Sequence, residues 1–221
     1  MTRVCMLIAI VGLAAVPVAV GDTPSASAGF VQLFNGKDLT GWKQHPDDTN
    51  KWEVKDGALT ASGDGNGHLY SQRGDYENVV FRIEAKINDG GNSGQYVRAR
   101  FQKSFPAGYE AQINATHKDP IKTGSLYPGP FLKSRAEREE FRQKFCILNK
   151  APHAPDEWFT QEFTADGNHL VIKVNGKTTV DYTDQQNLYT KGHLALQYHD
   201  PTCKIMVRKA EVKELPPSKK S

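Results

Sequence analysis

Apolar and polar residues alternate with a period of two along much of this chain, and no other feature restricts its fold as strongly. Phe81, Ile83, Ala85 and Ile87 fall on one side of a run whose other side is Arg82, Glu84 and Lys86. Leu194, Leu196 and Tyr198 alternate in the same way with Ala195, Gln197 and His199. Successive strand side chains point to opposite faces, so such runs are antiparallel strands buried on one side. Turn signals separate them. Val171-Ile172-Lys173-Val174 and Lys177-Thr178-Thr179-Val180 flank Asn175-Gly176, which supplies the pair of positive φ angles a type I′ hairpin requires. Asp56-Gly57 joins residues 52–55 to 58–61, and Asp166-Gly167 marks a third turn. About a dozen strand-like runs with a single helical candidate predict an all-β chain, an antiparallel β-sandwich or jelly roll with one short helical insertion.

The helical candidate is residues 134–144. Ser134-Arg135-Ala136-Glu137 has capping-box spacing, and Phe141 and Phe145 lie four apart, one face of a helix that can dock. The segment is too short to bury a core and is read as a surface excursion between strands. A phase slip near Arg208-Lys209 predicts a bulge in the last strand, residues 204–215.

The first residues read as an address. Arg3 precedes an apolar run from Val4 to Val16, and Ala26-Ser27-Ala28 offers a small-residue cleavage site, the pattern of a secretory signal peptide. The run is shorter than the ~20 residues of a spanning helix. The expected organisation is therefore a signal peptide at 1–28, one sandwich domain at 29–215 and a disordered tail at 216–221. The protein is expected to be exported, periplasmic or extracellular, with no membrane insertion after cleavage. The net charge of +3 gives no case for nucleic acid as a partner. Cys5 leaves with the leader. Cys146 and Cys203 remain in a compartment that permits disulfides, and a bond between them is expected, with two unrelated buried thiols as the alternative.

In a sandwich the polar alternates carry the information. Val97, Ala99 and Phe101 are expected to point inward, leaving Tyr96, Arg98 and Arg100 outward. Tyr109, Ala111 and Ile113 leave Glu110, Gln112 and Asn114 outward, and the strand ending at Tyr198 adds Gln197 and His199, followed by Asp200. If these strands share a sheet, one face collects planar amides, an arginine, a carboxylate and an imidazole. Those groups suit sugar hydroxyls and proton transfer, although a solvated face with cross-strand ion pairs has similar composition. The glycine-rich turn at 90–94 sits beside Arg98. Trp42, Trp52 and Trp158 read as packing residues more readily than as sugar platforms. The histidines show no zinc-ligand spacing, Asp38, Asp47 and Asp48 form no calcium loop, and there is no phosphate-binding glycine motif or nucleophile elbow. No metal and no cofactor is expected.

Several short motifs, taken in order, resemble one family. They are Phe30-Val31-Gln32-Leu33-Phe34-Asn35-Gly36-Lys37-Asp38-Leu39-Thr40-Gly41-Trp42, Gly91-Asn92-Ser93-Gly94, Gly108-Tyr109-Glu110-Ala111-Gln112-Ile113, Thr123-Gly124-Ser125-Leu126-Tyr127, Glu157-Trp158, Val174-Asn175-Gly176 and Leu196-Gln197-Tyr198-His199-Asp200. Together they are similar to the 3-keto-disaccharide hydrolases, over nearly all of residues 30–215. The resemblance implies a concanavalin A-like sandwich that acts on glycosides oxidised at C3, with a small carbohydrate as its partner. Arg98, Glu110, Gln112, Tyr127, Gln197 and His199 stand at motif positions. Residues 131–154 form an insertion relative to shorter relatives.

A C3 carbonyl acidifies the proton on C2, so a base can begin elimination of the C1 substituent, and hydration of the enone returns the free keto sugar. This chemistry needs a base, an acid and donors on the C3 oxygen. The expected roles are Glu110 as acid/base, His199 as its partner and Arg98 polarising the carbonyl, with Gln112, Tyr127, Gln197, Tyr96 and Asp200 binding substrate. A hydratase acting on the keto-glycal is a variant of this reading. A non-catalytic lectin-like carbohydrate-binding module is the main alternative, and a structural envelope domain is a third.

Overall fold

A computed structural model describes residues 29–129 and 132–216. The expected leader at 1–28, positions 130 and 131 of the excursion, and 217–221 of the tail lie outside the described residues. Among the described residues thirteen strands and one helix follow in chain order: β1 (Val31–Gln32), β2 (Trp42–Gln44), β3 (Asn50–Lys55), β4 (Ala58–Gly63), β5 (Gly67–Ser71), β6 (Val79–Ile87), β7 (Ser93–Ala99), β8 (Tyr109–Ile113), α1 (Arg135–Phe145), β9 (Phe159–Asp166), β10 (His169–Val174), β11 (Lys177–Thr183), β12 (His193–Tyr198) and β13 (Ile205–Glu214). One sheet runs β11-β10-β9-β6-β13-β4-β3, with β1 on the far half of β13, and the other runs β2-β5-β12-β7-β8. Every pairing is antiparallel. This is the expected all-β sandwich.

The core lies between the sheets, where Phe81, Ile83, Ala85 and Ile87 meet Tyr109, Ala111, Ile113, Leu194 and Leu196 in one apolar cluster. Trp42 and Trp52 belong to it, as packing residues. The hairpin turns carry positive φ at Asp56 and Gly57 and again at Asn175 and Gly176. The phase slip in β13 is a register shift between Val207 and Lys209. At α1, Ser134 accepts from Glu137 N while the Glu137 side chain caps the Ser134 N–H, a complete capping box. Phe141 and Phe145 then bracket Tyr182 of β11, with ring centroids 5.3 and 4.8 Å away. Ser134→Ala is expected to lower stability by ~1 kcal/mol, seen as a lower urea midpoint with unchanged slope.

Several expectations fail, two of them in the fold at large. Cys146 and Cys203 are both free thiols. Each sulfur has its own surroundings: Cys146 Sγ donates to Leu126 O, and Cys203 is buried in the turn after Asp200. Burial pushes both thiols up to about 12, so they stay protonated and unreactive. The outer face of the five-stranded sheet, expected to meet solvent, is also largely covered. Every residue of β7 and β12 is buried, and Tyr70, Tyr96, Ala99 and Ala195 form a second apolar cluster with Phe101 against it. Loops fold over that face and turn it into a recess. Among the described residues no helix is long and apolar enough to cross a membrane.

Candidate functional site

The recess opens over one half of the five-stranded sheet, where β12, β7 and the edge strand β8 lie side by side. Glu110 of β8 pairs with Tyr96 of β7, and Gln112 pairs with Gly94. A side chain at Gly94 would run into the Glu110 carboxylate, since an added Cβ would collide with Oε1. The glycine therefore leaves the room in which that carboxylate lies. Gln197 of β12 donates from Nε2 to Tyr96 Oη at 2.9 Å and reaches Glu110 Oε1 at 3.5 Å. Glu110, Gln112 and Gln197 floor a cavity of about 250 Å³, also lined by Asn92, Phe105, Tyr127 and His199. That volume is below the ~300 Å³ at which pockets for drug-sized ligands begin, and it suits a single ring.

The electrostatics are those of a poised acid. Glu110 is pushed up to about 7, mainly by burial and further by the charge of Asp119, against the opposing hydrogen bonds from Tyr96 and Gln197. At neutral pH its carboxyl is divided between protonated and ionised forms. His199 Nδ1 lies 2.8 Å from Asp200 Oδ2. A carboxylate only accepts, so Nδ1 carries a proton and Nε2 is the nitrogen through which the ring can act as a base. Burial raises the Asp200 carboxyl, but hydrogen bonds from Thr202 and His199 outweigh it and hold the group below its usual range.

The remaining groups suit hydroxyls. Asn92 Oδ1 and Gln197 Oε1 are buried acceptors with no partner in the protein. An unmet buried polar atom costs roughly 1–3 kcal/mol, a cost that a donor brought by a ligand would remove. Gln112 Oε1 accepts from Ile113 N at 3.1 Å, which fixes the amide with its NH₂ available. Phe105 is 48% exposed and lies 5.8 Å from the His199 ring, an apolar plate at the mouth.

Of the residues expected here, Glu110, Gln112, Tyr127, Gln197 and His199 line one cavity. Tyr96 lines the adjoining cavity instead, and its phenol is engaged with Gln197 and Glu110. Asp200 does not bind from the wall. It stands behind His199, with Oδ1 taken by Thr202 N at 2.8 Å.

Arg98 is absent from the cavity, contrary to its expected role on the substrate carbonyl. Tyr96 pairs with Ala195 and Ala99 with His193, so β7 carries one more residue than β12 over this stretch. Arg98 takes up that bulge at φ 55°. Ala99 and Phe101 consequently pack on the outer face, the reverse of the expected alternation. The Arg98 guanidinium donates to the carbonyls of Glu77, Gly167 and Tyr189 at 2.8, 2.7 and 2.9 Å.

Asn92, Phe105 and the group behind Tyr127 were not assigned from sequence. Tyr127 Oη donates to Asp119 Oδ2 at 3.0 Å, and Lys122 Nζ donates to the carbonyls of His117 and Asp119 at 2.6 and 2.8 Å. The available signal for Phe105 was an aromatic residue in the loop between two site strands, a loop that also holds Phe101. Among the described residues no cluster of three or more metal-ligating side chains occurs.

Comparison with known proteins gives relatives of the chain as a whole and of its fold. A family model described as a 3-keto-alpha-glucoside-1,2-lyase-like domain matches residues 29–213. A Bacteroides thetaiotaomicron protein named 3-keto-disaccharide hydrolase is 31% identical over 88 residues, spanning 35% of this chain and 30% of that protein. A solved Parabacteroides distasonis structure, provisionally named a glycosyl hydrolase, covers 86% of this chain and 95% of its own at 22% identity and TM-score 0.63. A carbohydrate binding module from Bacillus subtilis matches 79% of this chain and 96% of its own at 14% identity and TM-score 0.57. The two solved structures share the fold at these identities.

Proposed function

The chain belongs to the 3-keto-alpha-glucoside-1,2-lyase-like domain family, and from that premise we propose an exported hydrolase that cleaves 3-keto-glycosides by elimination and hydration. The observation that carries the reading is one small cavity holding both a carboxyl titrating near neutrality and an Asp-oriented imidazole, Glu110 and His199. A module that only binds sugar has no use for either.

The keto sugar occupies the cavity with its hydroxyls on the unpartnered acceptors of Asn92 and Gln197. The Gln112 NH₂ supplies a donor for the C3 oxygen, the task first expected of Arg98. His199 Nε2 removes the C2 proton, the electron pair forms the C1–C2 double bond, and the C1–O bond breaks. Protonated Glu110 gives its proton to the departing oxygen. Water then adds hydroxyl at C1 and hydrogen at C2, and ionised Glu110 is the base that activates it. Asp200 holds the imidazole tautomer and stabilises the imidazolium.

Incubation of the protein with 3-keto-trehalose or 3-keto-lactose is expected to release free sugar. Binding of both without release would identify a lectin-like module instead, and accumulation of the keto-glycal would identify a lyase that lacks the hydration step.

A further inference from the structure

Glu110 is shared between two cavities. The second, about 380 Å³, adjoins the first across Phe105, Glu110 and Tyr127 and extends toward Pro106, Pro128 and Tyr189. We propose that this second cavity is the leaving-group subsite and that it selects a planar, apolar aglycone rather than a second sugar. The inference rests on the function proposed above.

Position comes first. If the acid protonates the departing oxygen, the glycosidic bond crosses Glu110, with the keto ring on one side and the leaving group on the other. The two cavities meet at that carboxyl.

Chemistry then separates their occupants. The first cavity offers unpartnered acceptors from Asn92 and Gln197. In the second, most of the polar side-chain groups already have a partner within the protein. Tyr96 Oη is engaged by Gln197 and Glu110, Tyr127 Oη by Asp119, and the Tyr189 phenol by the Gly108 backbone. The Gln102 amide nitrogen donates to Phe105 O at 2.8 Å. A hexose placed there would exchange water for surfaces that pair few of its hydroxyls, and each hydroxyl left unmet costs roughly 1–3 kcal/mol. An aromatic ring brings no such groups, and it would meet the apolar faces of Phe105, Pro106, Pro128 and Tyr189. Leaving-group departure is the same step as before: the C1–O bond breaks, its electron pair goes to the aglycone oxygen, and Glu110 supplies the proton.

The test compares kcat/KM for benzyl, methyl and glucosyl 3-keto-glucosides. Benzyl and methyl alcohols are of similar acidity, so their difference reports contact and not leaving ability. The benzyl compound is expected to exceed both others by at least about tenfold, the lower end of what one fitted apolar group gives. Ala107→Leu, which narrows this cavity, is expected to bring the benzyl value down to the methyl value. Tyr189→Leu serves as a second variant should Ala107→Leu fail to fold, and is expected to reduce the benzyl-to-methyl ratio. A glucosyl substrate turned over as well as the benzyl one, or a ratio unchanged in the folded variants, would overturn the subsite alone. No turnover of any of the three would overturn the hydrolase reading and the subsite with it.

Discussion

Glu110→Gln is expected to lower turnover of a 3-keto-glycoside by roughly 10²- to 10⁴-fold, the usual contribution of a positioned acid or base, while leaving substrate binding nearly intact. Glutamine keeps the shape of the side chain and its contacts with Tyr96 and Gln197, and it loses only the transferable proton. In the wild type, kcat/KM should fall as pH rises through about 7, where Glu110 of the free protein loses that proton. Glu110→Gln should lack this limb. Stability supplies a second readout. The folded-state pKa of Glu110 is raised from 4.5 to about 7, so its contribution is fully present below 4.5 and is lost as pH rises through 7. Glu110→Gln removes that loss, and its Tm relative to wild type should be higher at pH 8 than at pH 4. Full activity in Glu110→Gln, with the alkaline limb still in place, would remove this residue from the mechanism.

The polar face was legible where alternation held and lost where it broke. Glu110 and Gln112 are flanked by Tyr109, Ala111 and Ile113, and Gln197 by Leu196 and Tyr198; these apolar neighbours all enter the core cluster. Period two then puts the polar residues on the opposite face. One extra residue in β7 was enough to misplace Arg98, Ala99 and Phe101 together, because a single-residue slip exchanges the faces of everything beyond it. Nothing in Tyr96-Val97-Arg98-Ala99 marks that bulge. Loop residues carry no period, so Phe105 and Asn92 needed the folded chain to bring them over the sheet. The cysteines failed for a related reason: compartment and parity say whether a disulfide is permitted, and only geometry says whether two sulfurs meet. The helix, by contrast, was readable to its cap, since Ser134 and Glu137 interact locally.

Arg98→Met is expected to destabilise the fold by several kcal/mol while leaving the catalytic rate of the folded fraction close to wild type. The arginine ties together the chain before β6, the turn between β9 and β10 and the segment before β12, through the carbonyls of Glu77, Gly167 and Tyr189. Methionine fills similar volume but donates nothing, and each buried acceptor left unpaired costs roughly 1–3 kcal/mol. Against a typical total of ~5–15 kcal/mol, that is a large fraction, and Tm should drop by a correspondingly large amount. Lysine is no substitute, because a single ammonium cannot reproduce the fork that reaches carbonyls in three directions. Arg98→Gly sharpens the test. It relieves the positive φ at this position, yet the missing hydrogen bonds should still leave it less stable than wild type. A residue that polarised the substrate carbonyl would behave in the opposite way, with Tm nearly unchanged and kcat collapsed. A stable, folded and inactive Arg98→Met would therefore return Arg98 to the active site, and a fragile but active one places it in the frame that holds the recess open.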